Sequence, residues 1–557
     1  MSLLVEKIKE LAYSDRYKEY YAKLLMELMA IDTTPQSDIS IIRENEIKAF
    51  GVIERELKKI DDSIVIKRNP INEAIESHPY FTQPHYTKTP ENPQGLSVKQ
   101  TYRGRYNLVA VVKGQNRCGS GYKVIYNSHI DTVAPFLEFR REGDLIYGRG
   151  ACDAKGQVAL ILSQIKLLKE LGEPMNQDRV YQFVIDEEPG GNGSLSLAID
   201  QSFRDSKDVI VFEITDNRAH PANRGALWYK IELDGSFDDR QPFVKGDRIN
   251  VAEMQAYVVL ALEEEGRRIK SESEHPLFPT RPVQTCQGIL GSYGEHPSAV
   301  NDEVGFKLSV GGLNSQQLRE IIDAAVRAYC DDYGDKTKEI DPVTGKAKVE
   351  KHYNLTGKYE LEIFGKGGHM GAILECDDAI TKGAYIIKSL KDFERKNPGV
   401  QIKVAMGKDS GSRKLIIEGG QGFIPTHTIE EVQERLNNAV IRGVQEYCQI
   451  IGVTYKPEMA ITTYEKLHND AYVSPVNCPA MQAMQNAFET LGLDFGEPTA
   501  WLVSCDARIF AKEGYNVVTF GPGLLSDAHQ LVEKIDINQA QEALAISSIA
   551  ALNLGNF

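Results

Sequence analysis

The chain of 557 residues carries 64 Lys and Arg against 79 Asp and Glu, a formal net charge of −15, and 42% hydrophobic residues. Its length exceeds what one ordinary hydrophobic core holds and predicts several domains. The acidic balance excludes nucleic acid and anionic membrane surfaces as main partners, since both require a basic footprint, and leaves small molecules or peptides.

The N-terminal stretch MSLLVEKIKELAYSDRYKEYY is charged throughout and reads as an amphipathic helix without the apolar core of a signal peptide. No apolar run approaches the roughly 18 residues of a membrane span. Eight cysteines, scattered from Cys118 to Cys505 with no CxxC pair, argue against a zinc ribbon and fit a reducing compartment. A soluble cytoplasmic protein is expected.

Residues 16–60 show apolar positions at helical spacing, as in YYAKLLMELMAI and IKAFGVIEREL. The Pro- and His-containing stretch RNPINEAIESHPYFTQPHYTKTPENPQG, residues 68–95, follows as an irregular excursion longer than most loops of compact domains. Strands and helices then alternate: YNLVAVV, YKVIYNS, the helical QVALILSQIKLLKEL, VYQFVI and DVIVFEI. This is the pattern of an α/β sheet, whose ligands gather at strand ends.

The middle of the chain repeats a pattern. The strand ALWYKIEL (226–233) precedes a helix, two strands near QTCQGIL and VGFKLSV, and the helix LREIIDAAVRAY; the strand YELEIFG (359–365) precedes the same order, ending on the helix IEEVQERLNNAVIRGVQEY. Two tandem α+β units of β-α-β-β-α form, each closed by a further strand, are expected. The α/β pattern returns from about residue 466. The expected division is therefore 1–225 and 466–557 for one domain, interrupted by units at 226–350 and 351–465.

Residues suited to chemistry cluster at strand ends. In YNSHIDTV, His129 and Asp131 stand two apart, so on an extended chain both point to the same side. One can ligate a metal while the other stands behind it as a hydrogen-bond partner. GRGACDAKG places Asp153 just before a helix, where a simple N-cap is the bland reading. VIDEEPGGNG runs a strand into Asp186, Glu187 and Glu188 and a glycine turn, which alone would be a solvated loop. DVIVFEITD brings Glu213, with Asp216 close by, and YNVVTFGPGLLSDAHQ brings His529. Two histidines with three or more carboxylates and no cysteine suit a pair of borderline divalent cations, zinc, cobalt or manganese, better than one structural zinc.

HID, GRGACDAKG, DEE, FE and GPG…DAH, in this order and spacing, resemble the M20 family of di-zinc metallopeptidases and amidohydrolases, which includes aminoacylases, glutamate carboxypeptidases, deacylases and dipeptidases. The resemblance implies an α/β fold with a zinc-exopeptidase-like mixed sheet flanked by helices, and an inserted lid of two tandem ferredoxin-like units. It also implies two divalent metal ions, zinc first and cobalt or manganese as alternatives. His129 would hold one metal with Glu213, Asp216 competing for that place. Asp153 would bridge, and Glu188 and His529 would complete the second site. Glu187 matches the family's general base and Asp131 the residue that orients His129. GKGGHMGAILECDDAI resembles the lid motif whose histidine, here His369, stabilises the oxyanion; SCDARIF resembles the segment whose arginine, here Arg508, binds a substrate carboxylate.

The implied reaction is hydrolysis of an amide bond by a water bridging two metals. The substrate is a small peptide, with N-acyl amino acid deacylation as the alternative and a non-catalytic binding relative further behind. The family usually carries one lid unit and often dimerises. The doubled unit here resembles the dipeptidase V branch and implies a monomer, with a homodimer as the alternative. The first unit's equivalent stretch, LDGSFDDRQPF, has no histidine.

Overall fold

The computed structural model describes residues 2–115, 123–172, 175–238, 248–294, 299–341, 345–357, 359–409, 411–465 and 469–555. Cys118 and the end of the LDGSFDDRQPF stretch fall outside them. The chain divides into two compact units, one of residues 1–224 with 471–557 and the other of residues 225–470. No helix among the described residues is long and apolar enough to cross a membrane.

The first unit is built on a six-stranded sheet. Its strands are β1 (Val65–Pro70), β2 (Tyr106–Val112), β3 (Lys123–His129), β4 (Asp178–Val184) and β5 (Asp208–Phe212), completed by Asn516–Phe520. Spatially they run β1-β2-β4-β3-β5 and then Asn516–Phe520. β1, β2 and β4 pair antiparallel, whereas β4, β3, β5 and the last strand are parallel. Every residue of β4 and β5 is buried, the continuous apolar character expected of strands covered on both faces. The parallel strands end level: His129 stands beside Val184, and Phe212 beside Phe520. Whatever follows those residues is therefore delivered to one edge, the carboxyl edge where α/β sheets bind ligands. The 68–95 excursion is ordered, with short helical turns at Glu73–Ser77 and His85–Thr87.

The second unit runs β6 (Gly225–Asp234), α1 (Val251–Glu272), β7 (Thr285–Leu290), β8 (Glu303–Gly311), α2 (Ser315–Tyr333), β9 (Glu360–Phe364), α3 (Ala379–Lys396), β10 (Gln401–Met406), β11 (Lys414–Phe423), α4 (Ile429–Ile451) and β12 (Ala460–Glu465). The expected tandem halves do not appear in the pairing. One sheet has the order β7-β11-β6-β12, and the other joins β9, β8 and β10. The β8-to-β10 module is thus nested between β7 and β11 of an outer module, and a division at residue 350 cuts through the nested one. The physical reason is that a strand's own alternation marks which face it buries but not its partner. β7 pairs antiparallel with β11, far along the chain, from Thr285 against Gln421 to Leu290 against Ile417.

Helices α1 and α4 of the outer module pack closely. A Cβ at Gly443 of α4 would stand 2.8 Å from the Tyr257 carbonyl oxygen and the Val258 Cα of α1. The two backbones approach because no side chain intervenes. Gly443→Leu is expected to destabilise the protein by about 1–3 kcal/mol, read as a lower midpoint in chemical denaturation.

Candidate metal centre

Three polar groups converge at the end of β3. His129 Nε2 lies 3.2 Å from Asp153 Oδ1 and 3.7 Å from Glu213 Oε1. A second group shares Asp153: His529 Nε2 lies 3.2 Å from Asp153 Oδ2 and 3.2 Å from Glu188 Oε2. Within each trio one ligand atom per residue lies within 4.8 Å of the others. Asp153 thus presents one carboxylate oxygen to each imidazole. His129 ends β3 and Glu213 follows β5 directly. Asp153 precedes the helix Lys155–Leu171, and His529 lies in the loop after Asn516–Phe520. Asp216 does not join: it is exposed and accepts a hydrogen bond from Gln539.

The electrostatics of the two trios match a cation pair. Burial alone would push the Asp153 carboxyl up, but the two imidazoles hold it well below the usual carboxylate range. Burial and the charge of Asp153 drive the Glu213 carboxyl well above its ordinary value against the opposing pull of His129. Burial lowers both imidazoles, yet their carboxylate neighbours win and raise His129 and His529 well above 6.5. Close carboxylates without sulfur, mixed with imidazoles, form a donor set for zinc or a similar divalent ion at each trio.

The acidic triplet divides into three environments. Asp186, at φ 58°, turns inward. Its carboxylate accepts hydrogen bonds from the Tyr86 hydroxyl at 2.5 Å, the Tyr102 hydroxyl at 2.7 Å and Arg105 Nη2 at 2.8 Å. Arg105, fully buried, also donates twice to Glu46. Glu188 belongs to the second trio. Glu187 belongs to neither, and burial, then the Asp506 carboxylate, push its carboxyl up to about 8.

Asp131 contacts His129 and also reaches the acidic triplet. His129 Nδ1 lies 2.9 Å from the Asp131 backbone oxygen and 3.6 Å from its carboxylate. The carboxylate, which helps raise the His129 imidazole, also accepts the backbone N–H of Glu187 at 3.2 Å and of Glu188 at 3.0 Å. The glycines that follow are required by crowding: a Cβ at Gly190 would meet Thr82 at 2.5 Å, and one at Gly191 would meet Asp506 Oδ1 at 2.4 Å. Arg508 is buried and donates to the Gly190 carbonyl at 3.2 Å, with Nη1 4.0 Å from Asp506. All these residues belong to the first unit. His369 belongs to the second, where Gly368–His369 pairs with Ala299–Val300.

Two supports were not foreseen. Arg105 with Tyr86, Tyr102 and Glu46 anchors the triplet, and Thr82 is bound to Asn192 through its backbone, so the 68–95 excursion braces the turn. Glu533, fully buried, accepts the backbone N–H of Cys152 at 3.1 Å and of Asp153 at 3.2 Å, and is paired with Arg149 at 2.6 Å. No local pattern marks either support, because each joins residues distant in the chain.

A parallel-sheet edge that gathers two carboxylate and imidazole trios is a candidate two-metal centre. The model of Peptidase family M20/M25/M40 matches residues 125–553; the chain belongs to this family and is a hydrolase. A Peptidase M20 domain-containing protein of Schizosaccharomyces pombe is 38% identical over 115 residues, 20% of this chain and 28% of that protein. The N-formyl-4-amino-5-aminomethyl-2-methylpyrimidine deformylase of Bacillus subtilis is 30% identical over 309 residues, 51% of this chain and 70% of that enzyme. Carboxypeptidase G2 of a Pseudomonas species is 34% identical over 161 residues, 27% of this chain and 35% of its own length. Among solved structures, the Saccharomyces cerevisiae dipeptidase Dug1p superposes with a TM-score of 0.56 at 15% identity over 100% of this chain and 99% of that one. Human carnosine dipeptidase 1 gives 0.53 at 13% identity over 99% of each chain. At such identities the structural likenesses speak for the fold alone.

Arg105 holds two buried carboxylates, so its loss leaves both uncompensated. Arg105→Met is expected to destabilise the protein by about 3–5 kcal/mol, measured by chemical denaturation against the unsubstituted chain.

Proposed function

We propose that the protein hydrolyses an amide bond in a small peptide, as an exopeptidase or dipeptidase. The observation that carries this reading is the placement of Glu187, a carboxylate outside both trios yet adjacent to Glu188 and held by the same Asp131 carboxylate. His129, Asp153 and Glu213 would hold one divalent cation, and Asp153, Glu188 and His529 a second, with zinc favoured by the mixed nitrogen and oxygen donors. When bound, the pair supplies Lewis-acid polarisation of the scissile carbonyl and lowers the pKa of water toward about 7.

The chain's own groups then divide the work. As the oxygen of the attacking water bonds to the carbonyl carbon, Glu187 takes its proton; as the C–N bond breaks, Glu187 returns that proton to the leaving nitrogen. Its elevated carboxyl suits a group that must both accept and release a proton near neutral pH. Asp131 fixes the Glu187 and Glu188 backbone, and Arg105 with Tyr86 and Tyr102 keeps the third charge, Asp186, out of the site. His369 is the proposed oxyanion donor and Arg508 the proposed ligand of a substrate carboxylate, both on the motif resemblance. The match to the Peptidase family M20/M25/M40 model over residues 125–553 favours the peptidase reading. The 70% coverage of the Bacillus subtilis deformylase favours deacylation of an N-acyl compound as the second reading.

Glu187→Gln is expected to keep both metals by elemental analysis and to lower turnover by about 10²- to 10⁴-fold on whichever dipeptide or N-acyl amino acid the unsubstituted enzyme cleaves. Retention of a near-normal rate would remove Glu187 from the role of base. The raised imidazole pKa values fix the sign of a second outcome. The carboxylate neighbours of His129 and His529 favour protonation of both in the cation-free protein, and a cation must displace those protons. Metal affinity is therefore expected to rise from about pH 6 to about pH 8, read as the chelator concentration needed to strip the metal.

A further inference from the structure

Within the second unit, three donors of different chemistry that belong to neither trio meet. Cys330 lies in the last turn of α2, Asp335 just beyond its end, and His352 immediately before the short strand Tyr353–Leu355. His352 Nε2 lies 3.8 Å from Cys330 Sγ and 3.1 Å from Asp335 Oδ1. One atom from each residue lies within 4.8 Å of the others.

The geometry separates two readings of a Cys, His and Asp group. A nucleophilic relay places the thiol and the carboxylate on opposite ring nitrogens, so that one orients the imidazole while the other is deprotonated. Here both stand at Nε2, and Nδ1 is buried without a hydrogen-bond partner. Three donors pointing at one place are the arrangement of a shared cation. Zinc bond lengths of about 2.3 Å to sulfur and about 2.0–2.2 Å to nitrogen and oxygen, at tetrahedral angles, set the sulfur to nitrogen distance at about 3.6 Å and the nitrogen to oxygen distance at about 3.4 Å. The observed 3.8 and 3.1 Å each lie within a few tenths of an ångström of these.

The surroundings permit it. Asp335 also accepts hydrogen bonds from the Thr337 backbone and hydroxyl. Its other oxygen meets Lys338, whose side chain is 82% exposed and free to withdraw. Lys382, the nearby buried cation, is neutralised by Asp377 at 2.6 Å. Cys330 is half-buried, so a metal can reach it. The three residues also stand at the two ends of one loop. Between Tyr333 and Tyr353 the described residues make no helix or named strand, only an antiparallel bridge between Ile340 and Ala347 and an ion pair of Lys348 with Glu339. A cation joining Asp335 and His352 to Cys330 would close that loop at its base and lower its conformational freedom.

We propose that Cys330, Asp335 and His352 form a third, structural metal site for zinc, with water as the fourth ligand, separate from the catalytic pair. Cobalt(II) is the probe, because sulfur ligation absorbs in the near ultraviolet and none of the residues in the two catalytic trios carries sulfur. Full-length protein saturated with cobalt is expected to show the thiolate charge-transfer band. The band should persist in Asp153→Ala, in which the catalytic trios are broken, and vanish in Cys330→Ser. As a check that needs no variant, saturating zinc should slow alkylation of Cys330 by at least about tenfold, following the occupied fraction and read by peptide mass spectrometry. A band absent from the unsubstituted protein, a band surviving in Cys330→Ser, or an unchanged alkylation rate would each overturn the assignment.

Discussion

One carboxylate organises the candidate metal centre. Each oxygen of Asp153 stands 3.2 Å from a different imidazole, and those imidazoles come from the two separate sequence segments of the first unit. Charges this close, in surroundings poorer in water than the surface, interact strongly. The charge of Asp153 helps to raise the neighbouring Glu213 carboxyl. The demand reaches outward: Glu533 grips the backbone at Asp153, and Arg149 neutralises Glu533. A half-turn of chain between a strand and a helix is thereby held from two sides.

The same logic governs the acidic triplet. Three adjacent carboxylates repel one another if they share a direction, and the backbone resolves the conflict by sending Asp186 inward at φ 58°. There Arg105 and two tyrosine hydroxyls meet it, with Glu46 sharing the guanidinium. A buried arginine between two carboxylates is weak as a source of stability but strict about geometry. It sets the direction in which Glu187 and Glu188 leave the turn. The 68–95 excursion supplies Tyr86 and Thr82 to this arrangement, which gives an irregular segment a structural task beside the site.

The second unit shows how a pattern can be read correctly and joined wrongly. The helices and strands between 225 and 470 follow the periodicity of their apolar residues. Their pairing does not: β7 finds β11, across the whole β8-to-β10 module, instead of β8. A strand buries its apolar face equally well against either neighbour, so local alternation leaves the two topologies equivalent. Packing of α1 on α4 and on α3, through close backbone approaches such as Gly443, distinguishes them.

The sequence by itself determined the residue types and their order: ligand-type side chains at the ends of apolar strands, an inserted α+β region, and motifs specific enough to indicate the family. Those features are local, since burial periodicity and turn chemistry are properties of a few consecutive residues. Only the tertiary structure decided that Glu213 and not Asp216 faces His129, that Asp131 holds the Glu187 and Glu188 backbone, that Asp186 points into a buried arginine, and that the two α+β modules are nested. Each of these depends on which distant groups share a volume from which water is largely removed. There, an unpaired charge or hydrogen-bonding group is costly enough to choose one partner over another.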